Sequence, residues 1–319
     1  MKTIRTEEAV GQVLGHDLTQ IIKGVSKGPR FKKGHVIREE DVPVLLEMGK
    51  EHIYILEVAE DEYHEEDAAK EIARKISGRN IVFSDVSEGK VNLIADTDGV
   101  LLVDVEKLFG LNSITDITIA TKFSDIAVKK GEVLAGTRIT PVKIKKNVID
   151  EIEDESVVEV LPFKNLKFAI ITTGSEVSKG RIEDKFTGVV REKFSQFKFE
   201  EIHQEYVTDN LDEISSKIDK AVELGADVVV CTGGMSVDPD DKTPGAIKKS
   251  STEQVTYGTP VLPGAMFMIA YKGNSVLLGL PGSVMYCEKT ILDMVLPKIA
   301  AGIKLEKKDI VKLGHGGLL

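Results

Sequence analysis

The second half of the chain alternates short apolar runs with longer amphipathic segments. Apolar runs at 168–172, 228–231 and 275–280 each lead into a loop that contains glycine or proline. Between two such runs, Ile214, Ile218 and Ala221 recur at helical spacing. Strands that alternate with helices of this length are typical of a parallel sheet covered on both faces. From about residue 163 the pattern predicts an α/β fold, with a mostly parallel sheet flanked by helices.

The first half of the chain has shorter elements. Residues 1–60 predict a small α+β unit, with a strand at 9–14, a helix from about Val42 to Met48 and a further strand at 52–56. An acidic run at 60–67 precedes an amphipathic helix, and short strands separated by turns follow as far as 147. We therefore predict three domains: an N-terminal α+β unit at 1–60, a β-rich middle domain with a leading helix at 61–162, and the α/β domain at 163–319.

Glycine and hydroxyl residues follow the predicted strands of the α/β domain. The carboxyl ends of parallel strands meet at one edge of a sheet, so four loops are expected to share a crevice there. Three of these loops combine glycine with a Ser or Thr hydroxyl, which gives a phosphate both N–H and O–H donors. The candidate binding residues are Thr173, Gly174, Ser175, Thr232, Gly233, Gly234, Ser236, Pro281, Gly282 and Ser283.

Three carboxylates lie in the same loops. Asp209, Asp241 and Glu176 are the side chains best placed to hold or position Mg²⁺, which would bridge to a phosphate. Asp209 and Asp241 are the candidate metal ligands. An alternative for Asp209 is that it caps the helix that begins at Asn210. Thr243 is expected to cap the following helix, with proline at the first helical position.

Charge and cysteine content limit the class of partner. The formal net charge is −10, which argues against nucleic acid as the main partner because phosphate contacts need clusters of lysine and arginine. The two cysteines, Cys231 and Cys287, lack metal-binding spacing, and we expect both to be buried core residues in a reducing compartment. We see no signal peptide and no membrane-spanning stretch, so we expect a cytoplasmic protein.

The loop residues resemble those of a known family. Thr232-Gly233-Gly234, followed by Asp241 and Thr243-Pro244, resembles the signature of the MogA/MoaB proteins. Thr173-Gly174-Ser175-Glu176 is similar to the TGDE of MoeA, with Ser175 in place of the aspartate. Pro281-Gly282-Ser283 resembles the family's PGN or PGS loop, and Asp209 falls at its other functional aspartate. The resemblance covers about 165–300 and implies a molybdopterin-binding domain of molybdenum cofactor biosynthesis.

The resemblance also implies a reaction. It predicts that the chain binds molybdopterin, a pterin phosphate, and that Asp209, Asp241 and Glu176 support Mg²⁺-dependent insertion of molybdate into adenylylated molybdopterin. The corresponding activities are those of a molybdopterin molybdotransferase or an adenylyltransferase-like enzyme. Because relatives are often oligomers, a homo-oligomer is expected.

Departures from MoeA leave other functions open. Leu262-Pro263-Gly264-Ala265 stands where MoeA has two lysines around a Pro-Gly pair, and the MDGYA segment of MoeA is absent. The sequence ends at Leu319, soon after the last predicted helix. We therefore expect no counterpart of MoeA's fourth domain. These departures favour a second reading, a non-catalytic carrier or sensor of the finished cofactor. A third is a nucleotide pyrophosphatase acting on ADP-ribose, as in CinA-type proteins.

Overall fold

The computed structural model describes residues 2–22, 26–55, 58–174, 184–236 and 238–319. The chain divides into two compact units, Met1–Leu161 and Pro162–Leu319. The first unit contains two separate hydrophobic clusters, one within residues 9–53 and one within residues 68–160. Whether these clusters correspond to the two domains expected at 1–60 and 61–162 stays a prediction.

The first unit is built from short strands, four α-helices and a 3₁₀-helix at Thr6–Glu8 in its described residues. The second of these helices buries one face, with Ala68, Ile72 and Ile76 fully buried. The strand expected at 9–14 is wrong: this stretch is a turn with isolated bridges at Val13 and Leu14. The elements are β1 (Lys2–Arg5), β2 (Leu18–Ile22), β3 (Ser26–Phe31), α1 (Asp41–Glu47), β4 (His52–Ile55), β5 (Glu62–His64), α2 (Glu65–Ile76), β6 (Ile81–Phe83), β7 (Val91–Ala95), β8 (Gly99–Val103), α3 (Val105–Asn112), β9 (Ile117–Thr121), β10 (Ile126–Val128), β11 (Val133–Ile139), β12 (Lys143–Lys145), α4 (Lys146–Asp150) and β13 (Val158–Pro162).

The second unit is organised around a six-stranded sheet. Its elements are β14 (Leu166–Thr173), α5 (Phe186–Ser195), β15 (Phe199–Val207), α6 (Leu211–Glu223), β16 (Val228–Thr232), α7 (Thr243–Ser250), β17 (Glu253–Tyr257), β18 (Met268–Lys272), β19 (Ser275–Leu280), α8 (Ser283–Tyr286), α9 (Ile291–Ala300) and α10 (Lys307–Lys312). The strand order is β15-β14-β16-β19-β18-β17. The first four strands are parallel, and β18 and β17 add an antiparallel edge. The predicted fold class, α/β with a mostly parallel sheet, is confirmed.

No helix in the described parts of either unit has the length and apolar character of a membrane span.

Helices cover both faces of this sheet. Alternate residues of the central strands face opposite sides: Val228 and Val230 belong to one core, whereas Val229 and Cys231 belong to the other. Helices α5 and α9 pack in the first core, and α6 and α7 pack in the second. The helices that follow the neighbouring strands β14 and β16 therefore lie on opposite faces. The helices that follow β16 and β19, α7 and α9, also lie on opposite faces, and a crevice can open between the carboxyl ends of strands whose connections diverge in this way.

The apolar residues from Val284 to Ile299 predict one long helix, and this prediction is wrong. The structure has a short helix, α8, then a break at 287–290, and then α9. Thr290 begins α9 with a capping box, in which its side chain accepts from the Asp293 N–H while the Asp293 carboxylate accepts from the Thr290 N–H. The break leaves Cys287 in an extended conformation outside either helix.

Candidate functional site

The strand β16 runs directly into a glycine turn. Gly233 and Gly234 have φ angles of +85° and +54°, in the left-handed region that favours glycine. A Cβ atom on Gly233 would lie 2.4 Å from the carbonyl oxygen of Thr173. Only glycine allows the loop to pack this closely on the end of β14. Glycine at position 233 is therefore required by the close approach of the ends of β14 and β16.

The hydroxyl of Thr243 holds this turn from the other side. The capping role expected for Thr243 is wrong, because Lys242 occupies the N-cap position and Thr243 is the first residue of α7. Thr243 is fully buried, and its hydroxyl donates to the carbonyl oxygen of Gly233 at 2.8 Å. With that proton used, the Thr173 hydroxyl is the donor in the 3.1 Å contact with the Thr243 hydroxyl.

Two buried hydroxyl oxygens at this edge have no hydrogen-bond partner in the part of the chain that the structure describes. They are Oγ1 of Thr232, a fully buried residue that ends β16, and Oγ of Ser283, at the start of α8. Thr232 is opposite Leu280 in the parallel register of β16 and β19, so the two hydroxyls belong to neighbouring strand ends. A buried polar group without a partner is rare and costs free energy. Such hydroxyls have a hydrogen-bonding capacity that the described residues do not use, although neither Thr232 nor Ser283 is among the residues that line the cleft beside them.

A cleft of 420 Å³ opens between the loops that follow β16 and β19. Both loops contribute backbone, and hydrophobic side chains supply the remaining wall. The lining residues are Phe186, Gly233, Gly234, Met235, Ser236, Asp241, Met266, Leu280, Pro281 and Gly282. Six of the predicted site residues are thus brought together. A larger groove of 590 Å³ beside α5 contains none of the residues predicted for the site.

Asp241 is the carboxylate of this cleft. Its backbone N–H donates to the carbonyl oxygen of Asp238 at 2.9 Å, which closes a turn just before α7. Its Oδ1 atom lies 3.6 Å from the position that a Cβ on Gly234 would occupy. The carboxylate therefore lies beside the glycine turn and within reach of a ligand in the cleft.

Asp209 lies in a different loop of the same sheet edge. It is half-buried after β15, and β14 separates β15 from β16. The neighbouring residue Asn210 caps α6, since its Oδ1 atom accepts from the N–H groups of Asp212 and Glu213 at 3.0 Å each. Capping by Asp209, the alternative from the sequence, is therefore wrong. Asp209 is not among the residues that line the cleft.

The loop after β14 is described only in part. Gly174 has a φ angle of +136°, and its N–H donates to the carbonyl oxygen of Val207 at 3.1 Å, which ties the ends of β14 and β15 together. Ser175 and Glu176, both predicted site residues, lie outside the described residues.

The two cysteines differ in environment. Cys231 is fully buried in the sheet, as predicted, and burial raises the pKa of its thiol to about 12. Cys287 is only half-buried, so the core position expected for it is wrong. Neither thiol lines the cleft.

Two residues at this edge were not found from the sequence. The hydroxyl of Tyr257, on β17, lies 3.0 Å from the carbonyl oxygen of Met235 and 3.2 Å from that of Ser236. Burial, and secondarily the negative charge of Asp241, raises the pKa of Tyr257.

Asp184 accepts hydrogen bonds from the N–H groups of residues 186 and 187 at the start of α5. Burial opposes ionisation of Asp184, but the hydrogen bonds it accepts outweigh this and lower its pKa. An Asp two residues before a helix is a recognisable signal, whereas Tyr257 has none because its contact is made across the sheet.

Two family models match the chain. Residues 169–301 match a family described as "Probable molybdopterin binding domain". Residues 3–57 match a family described as a domain of unknown function.

Curated relatives and solved structures are also similar to the chain. A molybdopterin molybdenumtransferase of Haemophilus influenzae is 25% identical over 93% of this chain and 72% of its own length. A molybdopterin adenylyltransferase of Pyrococcus furiosus is 33% identical over 30% of this chain and 56% of its own length. A CinA-like protein of Picosynechococcus is 33% identical over 24% of this chain and 19% of its own length. The crystal structure of MoaB from Thermus thermophilus matches with a TM-score of 0.37 and 23% identity, over 42% of this chain and 91% of that chain.

Proposed function

We propose that this chain binds molybdopterin in the cleft between the loops after β16 and β19 and acts in molybdenum cofactor biosynthesis. Its residues 169–301 belong to the family of probable molybdopterin binding domains. The observation that carries the proposal is a pair of buried hydroxyls, Thr232 and Ser283, that have no hydrogen-bond partner among the described residues and lie beside a turn made of glycine. A phosphate accepts several hydrogen bonds at once, and N–H and O–H donors around a surface without side chains suit it. In this proposal Thr232 and Ser283 donate to the phosphate, while Gly233, Gly234 and Gly282 allow its approach.

Mg²⁺ fits the donors available. In phosphate sites this ion keeps several waters and takes one or two carboxylates together with phosphate oxygens. It therefore needs no cluster of three acidic, histidine or cysteine ligands, and the described residues contain none. Asp241 in the cleft and Asp209 in the neighbouring loop would hold the ion, and Glu176 would assist. When bound, Mg²⁺ would offset the charge of the phosphate against these carboxylates.

The finer proposal is that molybdate is inserted into adenylylated molybdopterin at this site. The chain's own residues would hold the phosphate with backbone N–H and side-chain O–H groups. These groups would stabilise the charge that develops on the phosphate as the nucleotide leaves. Asp241 would orient the reacting groups beside the turn. The similarity to a molybdenumtransferase over most of this chain supports this step.

A second candidate is a carrier or sensor that binds the cofactor without turnover. Leu262 and Ala265 flank the Pro-Gly pair, and Leu262 is 55% exposed. An exposed leucine brings neither the positive charge nor the donor that a lysine would bring to an anionic substrate. A third candidate is a nucleotide pyrophosphatase, which the similarity to a CinA-like protein favours. Hydrolysis of ADP-ribose would test it.

The first experiment is equilibrium binding of metal-free molybdopterin, with and without Mg²⁺, to the wild-type protein and to Asp241→Asn. We expect Mg²⁺ to tighten binding by the wild type, and this gain to be lost in Asp241→Asn. Asp240→Asn is the matched control, because Asp240 is an exposed carboxylate in the same turn and should behave as the wild type. Absence of binding under every condition would overturn the proposal.

Turnover is measured on the same proteins with adenylylated molybdopterin and molybdate. We expect Asp241→Asn to abolish turnover while leaving the folded structure intact. Equal activity in that variant would remove Asp241 from the mechanism. Tight binding by the wild type without turnover would identify a carrier or sensor, and hydrolysis of ADP-ribose with Mg²⁺ would favour a pyrophosphatase.

A further inference from the structure

Tyr257 reaches the glycine-rich loop from outside the parallel part of the sheet. It ends β17, the antiparallel edge strand, and its hydroxyl faces two consecutive carbonyl groups, those of Met235 and Ser236, at 3.0 and 3.2 Å. A phenolic hydroxyl has a single proton, which these two acceptors share. Both carbonyl groups belong to residues that line the cleft.

This contact determines the direction of one N–H group in the loop. In a trans peptide the C=O and N–H bonds point in opposite directions. The peptide between Met235 and Ser236 directs its carbonyl at Tyr257, so the Ser236 N–H points away from Tyr257. A reversed peptide would exchange this donor for a carbonyl oxygen, which repels a phosphate. The tyrosine hydroxyl therefore favours the peptide orientation in which the Met235 carbonyl faces Tyr257 and the Ser236 N–H points away from it.

The rest of the loop is held by packing against the sheet. The Met235 side chain is buried, and a Cβ on Gly279 would lie 2.5 Å from its methyl carbon. The carbonyl of Gly233 is held by Thr243. Tyr257 supplies the contact on the outer side, beyond Met235. Its hydroxyl keeps its proton at neutral pH, because burial and the negative charge of Asp241 raise its pKa.

We propose that Tyr257 is a positioning residue of the cleft, which orients the Ser236 N–H so that it donates to the anionic group of the bound ligand. This inference rests on the proposed function for the identity of that ligand, but the donor would serve any phosphate group. Tyr257 takes no part in the chemistry and acts through the loop.

The test compares two tyrosines on neighbouring strands. Tyr257→Phe removes the hydroxyl that contacts the loop. The matched control is Tyr271→Phe: the Tyr271 hydroxyl accepts from the Leu305 N–H at 2.7 Å, and Tyr271 lines a cavity at the amino ends of the parallel strands. We expect the dissociation constant (Kd) for metal-free molybdopterin to rise roughly three- to tenfold in Tyr257→Phe and to stay within about twofold in Tyr271→Phe. The control should lower the melting temperature, which separates lost stability from lost orientation.

A second measurement uses the wild-type protein alone. The amide proton of Ser236 should shift downfield in its nuclear magnetic resonance spectrum when molybdopterin or inorganic pyrophosphate is added. An unchanged Ser236 signal in a protein that binds either probe, or equal loss of affinity in both tyrosine variants, would overturn the role of Tyr257. A wild type that binds pyrophosphate but not molybdopterin would overturn the proposed function, and the two variants would then be compared with pyrophosphate. Binding of neither probe would overturn both proposals.

Discussion

The hydroxyl oxygens of Thr173 and Thr243 lie 3.1 Å apart, and this contact joins the end of β14 to the first turn of α7. Both side chains are buried, and both hydroxyls are hydrogen-bonded within the protein. The chain from Thr173 through Thr243 to the carbonyl of Gly233 gives each of the three groups a partner. The shape of the cleft thus depends on hydrogen bonds between segments that are distant in sequence.

Thr243→Val should destabilise the second unit. The substitution keeps the shape of the side chain but leaves the carbonyl of Gly233 and the hydroxyl of Thr173 without their partner. We expect the free energy of unfolding to fall by about 1–3 kcal/mol, as measured by urea denaturation followed by circular dichroism. Thr118→Val is the control, since Thr118 is exposed on β9 and should change stability by less than about 0.5 kcal/mol. Equal stability of the two variants would contradict the role given to the Thr243 hydroxyl.

Gly233→Ala should distort the cleft. The new Cβ would lie 2.4 Å from a backbone oxygen, at a φ angle of +85°, so the loop must move. We expect a loss of about 1–3 kcal/mol in the free energy of unfolding and much weaker binding of molybdopterin.

The matched control for this variant is Gly188→Ala. Gly188 lies within α5, is exposed, and has no atom within 4 Å of the added Cβ. Alanine there should raise stability by roughly 0.5–1 kcal/mol, because it lowers the entropy of the unfolded chain in a helical position. If both glycine variants bind ligand as the wild type does, the glycine turn does not form the binding surface.

The alternation of strands and helices in the second unit was predictable, because each apolar run is too short for a helix and ends at glycine or proline. The candidate residues of the glycine turn were predictable for the same reason. The break at Cys287 was not predictable, because the apolar residues on both sides of it keep helical spacing. The structure interrupts the helix there and begins a new one with the capping box at Thr290. Thr243 and Tyr257 could not be assigned either. Their hydroxyls contact segments 10 and 22 residues away in sequence, and no local pattern encodes those contacts.

The first unit should lose stability as the pH falls below about 6.5, the ordinary pKa of histidine. The Nδ1 atom of buried His64 accepts from the Lys33 ammonium at 2.8 Å, and its Nε2 atom faces the carbonyl oxygen of Gly15, so the ring is neutral with its proton on Nε2. Burial, followed by the charge of Lys33, lowers the pKa of His64. The unfolded chain then binds a proton that the folded chain excludes. The stabilising contribution of neutral His64 is complete above the ordinary pKa and decreases as the pH falls towards the lowered one.

Urea unfolding at several pH values between about 5 and 7 checks this expectation. The slope should approach at most about 1.4 kcal/mol per pH unit for each such histidine. His16, whose pKa is also lowered by burial and by Lys50, adds to it. His64→Gln should reduce the slope, whereas His315→Gln, at an exposed position of the second unit, should leave it unchanged. An identical slope in the wild type and His64→Gln would show that His64 does not titrate as described.

Thr232→Val should separate stability from binding. The Thr232 hydroxyl is fully buried without a partner among the described residues, so its removal breaks no hydrogen bond that those residues make. We expect the free energy of unfolding to stay the same or to rise by up to about 1 kcal/mol, because a buried polar group is removed at constant shape. Binding of molybdopterin should weaken roughly three- to tenfold, since the phosphate loses a donor. Thr243→Val has the opposite signature, a clear loss of stability. If Thr232→Val is instead destabilised and binds ligand normally, its hydroxyl has a structural partner and is not part of the phosphate site.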